Sequence, residues 1–71
     1  MSTKTVKTLD DVKRRVQGIA AVAGDDEVAH SREDDLHQDV LRAVAAGHPD
    51  SGKLARAALR TRRIMFKRWY A

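Results

Sequence analysis

The chain has 71 residues, 14 Lys and Arg against 10 Asp and Glu, a formal net charge of +4, and no cysteine. That length allows one small domain with a modest core, and without thiols neither disulfide staples nor thiolate metal sites are available. Met1–Asp11 is too polar for a signal peptide, and no apolar run nears the ~18–20 residues of a membrane span, so a cytoplasmic protein with no membrane partner is expected.

Hydrophobic spacing is helical throughout, with no alternating run long enough for a strand. The expected fold is therefore all-α: a disordered segment over 1–7, then a single helical domain over 8–71 with helices at about 9–23, 26–46 and 51–70. In the first helix Leu9, Val12, Val16, Ile19 and Ala23 form a narrow seam. Thr8 is placed to cap it, and Asp11 lies three residues on, the spacing of a capping box. Gly24 ends the periodic stretch, and Asp25 or Asp26 opens the second helix. Its apolar face is Ala29, Leu36, Val40 and Val44, with Leu41 at the margin.

Gly47 and Pro49 punctuate the next turn, after which Asp50 or Ser51 can cap the third helix. Leu54, Ala55, Ala58, Leu59, Met65, Phe66 and Trp69 fit one face of a continuous helix. A break near Thr61–Arg63 is the competing reading, and Ile64, which points off that face, favours it. Phe66 and Trp69 are expected to close the core. Thirty residues are hydrophobic, but eleven of them are Ala. At ~25 cal/mol per Å² of buried apolar area such a core gains little, so a homodimer is expected as one remedy.

Charge is segregated along the chain. Residues 25–39 carry seven acids against Arg32 alone, while residues 53–68 carry seven bases and no acid. An antiparallel pairing of helices two and three would set these runs side by side, and that internal complementarity is the favoured reading. The other is a phosphate-binding stripe of Arg56, Arg60, Arg63 and Lys67, non-specific for sequence, with Trp69 and Tyr70 available to stack. Two residues break their helices' patterns with opposite signs. Glu33 sits amid the apolar face of helix two, and Arg62 amid that of a continuous helix three. The two fall at about the same level of an antiparallel hairpin, which predicts a buried pair; a broken helix would leave Glu33 to Arg68 or the Trp69 indole.

His30, Glu33, Asp34 and His37 share one side of helix two, and imidazole with carboxylate suits Zn²⁺. A lone helix rarely closes a coordination sphere and the zinc-protease spacings are missing, so an exposed acidic face is the plainer reading and no metal or other cofactor is expected. The alcohols lie mostly at caps and termini, Ser51-Gly52-Lys53 lacks the phosphate-loop spacing, and no catalytic residues are expected. A short Gly-containing turn joins helices one and two, but the helix after it is acidic, so a helix-turn-helix reading fails unless the third helix does the binding.

From Asp25 onward, the order AHSREDDL, DVLRAVAAG, LARAALRT and I-x-F-x-RWYA resembles small proteins encoded by phages of actinobacteria. The resemblance covers roughly two thirds of the chain. It implies a compact helical protein made in a bacterial cytoplasm during infection, and it implies no activity. The function expected is non-enzymatic binding of a host or phage protein through the acidic helix or the aromatic tail. Nucleic-acid binding by the basic third helix is the alternative.

Overall fold

A computed structural model describes residues 6–68. Among these are three α-helices, α1 Leu9–Ala21, α2 Asp26–Ala45 and α3 Ser51–Leu59, then a 3-10 turn Arg60–Arg63 and an extended tail. No described residue is in a strand, and the three helices pack mutually into one all-α bundle.

Helix α1 starts where the capping chemistry dictates. The Thr8 hydroxyl accepts from the Asp11 amide at 3.2 Å, and the Asp11 carboxylate accepts from the Thr8 and Lys7 amides at 3.0 and 2.9 Å. Asp25 caps α2 by accepting from the Val28 amide at 3.2 Å. At the other end of α2, Gly47 takes φ +84°, its N–H bonds Val44 O, and the His48 N–H bonds Ala43 O. This pair of bonds is a Schellman stop, and its left-handed residue is one that glycine adopts without steric cost. At α3 no side chain caps the helix; instead the Ser51 hydroxyl donates to His48 O at 2.6 Å.

Val6, Val12, Ile19, Ala29, Leu36, Val40, Leu54, Ala57 and Ala58 form the core, flanked by Leu9, Val16, Val22, Ala43, Ile64 and Phe66. The fraying expected over 1–7 does not extend to Val6 and Lys7. Val6 is buried, and Lys7 O accepts from the His48 ring at 2.7 Å. Residues 1–5 lie outside the described residues.

The third helix breaks. It stops at Leu59, and Ile64 is extended at φ −77°, ψ 130°. Beyond the break the period changes from 3.6 to 2: Ile64, Phe66 and Arg68 turn inward while Met65 and Lys67 face solvent. Met65 is therefore 88% exposed, which corrects its expected place in the core. Leu59, 61% exposed, also leaves it, because the buried positions run Leu54, Ala57, Ala58, Thr61 and set Leu59 outside that arc. On α2 the inward seam is Ala29, Glu33, Leu36, Val40 and Ala43, and Leu41 and Val44 lie off it, exposed. Trp69, expected in the core, lies outside the described residues.

Candidate functional site

Glu33 is buried, as its place between Ala29 and Leu36 requires, and its partner is Arg68. The guanidinium meets the carboxylate side-on, Nε to Oε1 at 2.8 Å and Nη2 to Oε2 at 2.9 Å. The expected partner, Arg62, is instead exposed, because the break before the tail rotates it out of the helical face. Nη2 also donates to Thr61 O at 2.8 Å and Ile64 O at 3.3 Å, Nη1 donates to Phe66 O at 3.3 Å, and Cζ stands 3.9 Å from the Phe66 ring centroid. Arg68 thus ties the tail to α2 and closes the end of the 3-10 turn. Its hydrogen bonds hold the Glu33 carboxyl down from 4.5 to about 2 against the opposing effect of burial, with the positive potential of Arg68 adding to the shift.

Beside this pair, His37 Nε2 lies 2.9 Å from the Thr61 hydroxyl, whose own proton goes to Ala58 O at 3.1 Å. The imidazole N–H must then be the donor. His30 faces Asp34 at 3.5 Å. The three metal candidates are thus drawn apart, with His30 toward Asp34, Glu33 into Arg68 and His37 onto Thr61. Among the described residues no group of three or more His, Asp or Glu is placed to hold a metal ion.

A second buried acid escaped the sequence reading. Asp39 accepts from Arg15 of α1 at 2.9 Å and from Arg42 at 3.3 Å. The available signal was its position, flanked by Leu36 and Val40 on the buried side of α2. Among the described residues, no buried side-chain nitrogen or oxygen lacks a hydrogen-bond partner.

The surface cations are arranged otherwise. Lys53, Arg56, Arg60, Arg63 and Lys67 are all exposed. At 100° per residue Lys53, Arg56 and Arg60 fall within an arc of about 60°, and a 3-10 turn eclipses residues three apart, which sets Arg63 over Arg60. The four make a straight stripe about 16 Å long by the rises of the two helix types. Among the described residues, no acid lies within the 4.0 Å of an ion pair from Lys53, Arg56, Arg60, Arg62 or Arg63. The acidic and basic runs meet through the tail and not through α3: Arg68 pairs with Glu33 at 2.8 Å and the Lys67 amide donates to Asp26 at 3.0 Å, while Asp39 is met by Arg15 of α1.

Compared with known protein families, with curated proteins and with solved structures, the chain has no match.

Proposed function

We propose that the chain is a small binding protein without catalytic activity, of the kind phages of actinobacteria encode, and that it works by laying the basic stripe of α3 along nucleic-acid phosphates. The observation that carries the reading is the row Lys53, Arg56, Arg60 and Arg63 on one exposed face without acidic partners among the described residues. Four cations in a row neutralise successive phosphates and release the counterions condensed on them. The contact positions without reading sequence, because it is made to the backbone. The acidic flank of α2 is a weaker candidate. Asp25 is used as a cap, and Asp26, Glu33, Asp34 and Asp39 already meet partners inside the chain.

Fluorescence anisotropy with a labelled duplex across a salt series tests this reading. Affinity should fall with a log–log slope near −0.9 per phosphate contacted, about −3.6 for four. Replacing Lys53, Arg56, Arg60 and Arg63 with Ala should abolish binding while helicity persists. Affinity retained in ~0.5 M salt, or discrimination between duplex sequences, would count against it. A protein partner is the second reading, favoured by exposed Leu41 and Val44 on α2. That contact would survive both nuclease and high salt.

A further inference from the structure

The basic stripe is built from two pieces held by different means. Lys53 and Arg56 stand on α3, whose buried Leu54, Ala57 and Ala58 anchor it to the bundle. Arg60 and Arg63 stand on a four-residue 3-10 turn, a length with little stability of its own. Thr61 O accepts from the Ile64 amide at 3.0 Å, and Arg68 adds a second donor to it from outside the turn and one to Ile64 O just beyond, while Glu33 fixes the guanidinium from the far side.

We infer that Arg68 is a positioning residue for the basic face, keeping Arg60 and Arg63 in line with Lys53 and Arg56. The inference rests on the phosphate-binding reading. Arg68 itself is turned into the fold and contributes no charge to the stripe. A lysine could neutralise Glu33, but a single ammonium cannot reach both carboxylate oxygens and two backbone carbonyls in a planar fork. With the turn loosened, only Lys53 and Arg56 would remain held in position. Coupling runs both ways: phosphates gripping Arg60 and Arg63 must also stabilise the Arg68 contacts.

The test is the salt slope of Arg68→Lys against that of the wild type on one duplex. The slope should fall from about −3.6 to about −1.8, the loss of two phosphate contacts. Glu33→Gln should move it in the same direction. A role confined to stability would lower the folded fraction and leave the slope as it was. A second measurement needs no variant. On saturation with duplex, hydrogen exchange should slow at the Ile64 amide and at Arg68 Nε–H more than at the Val28 amide, at the start of α2. An unchanged slope in Arg68→Lys, or equal slowing at the three groups, overturns the inference and leaves phosphate binding standing. Failure of the wild type to bind duplex overturns both.

Discussion

At the scale of single residues, Glu33 shows how a charge out of pattern dictates what must surround it. A carboxylate amid an apolar face costs several kcal/mol unless it is paired, so its presence demanded a cation or an N–H. Which one was not legible. Arg62 and Arg68 lie six residues apart, and whether α3 continues or breaks decides between them. Arg68→Met alone should cost ~3–5 kcal/mol in urea unfolding, whereas Glu33→Met with Arg68→Met should cost much less, because no charge is then left buried. An additive double-mutant cycle would contradict this. The pair also sets an acid limit. Folding depresses the Glu33 carboxyl from 4.5 to about 2, so its contribution is fully present above 4.5 and is lost as pH falls from there through 2. Asp11, lowered by the Lys7 and Thr8 amides it accepts from, acts in the same sense. Thermal melts from pH 6 to pH 2 should show stability falling across that window, and Glu33→Gln should flatten the fall.

At the scale of elements, the caps of α1 and α2 and the stop of α2 were legible because they are local chemistry, whereas α1 ends at Ala21, short of Gly24, and Asp50 makes no side-chain cap. Thr8 with Asp11, Asp25, and Gly47 before Pro49 each act within a few residues, and each forms the bonds its spacing allows. Gly47→Ala should destabilise by ~1 kcal/mol, since a Cβ is disfavoured at positive φ even though open space surrounds it. The break at Leu59 was legible only as an alternative. Nothing in Arg60–Arg63 forbids a helix; arginine favours one. The turn forms because Thr61 is buried against His37 and Arg68 reaches back to its carbonyl, contacts made with residues 24 positions earlier and 7 later. The change in exposure makes this testable. Leu54→Ala should cost ~2–5 kcal/mol, while Leu59→Ala and Met65→Ala should each stay within ~0.5 kcal/mol. A continuous helix would make Met65→Ala costly too.

At the scale of the whole molecule, the formal +4 conceals an uneven arrangement: Glu33 and Asp39 are paired with arginines, while among the described residues Lys53, Arg56, Arg60, Arg62 and Arg63 meet no acid. The tail supplies the cation that Glu33 needs, and so frees α3 from that task and leaves its bases to solvent. Charge reversal of Arg56 and Arg60 to Glu should therefore leave the melting temperature nearly unchanged, since no internal ion pair is lost, and should abolish binding to a duplex. A drop of several degrees would mean that the stripe does hold the fold together.

Helix identity, the caps of α1 and α2 and the need to pair Glu33 followed from the sequence alone, because periodicity, cap chemistry and the cost of a buried charge act over short spans. The partner of Glu33, the burial of Asp39 against Arg15 and the exposure of Met65 were decided by the tertiary structure. Each depends on where the chain turns after Leu59 or on how α1 meets α2. Those choices minimise the free energy of the whole bundle and are not encoded in any one window of residues.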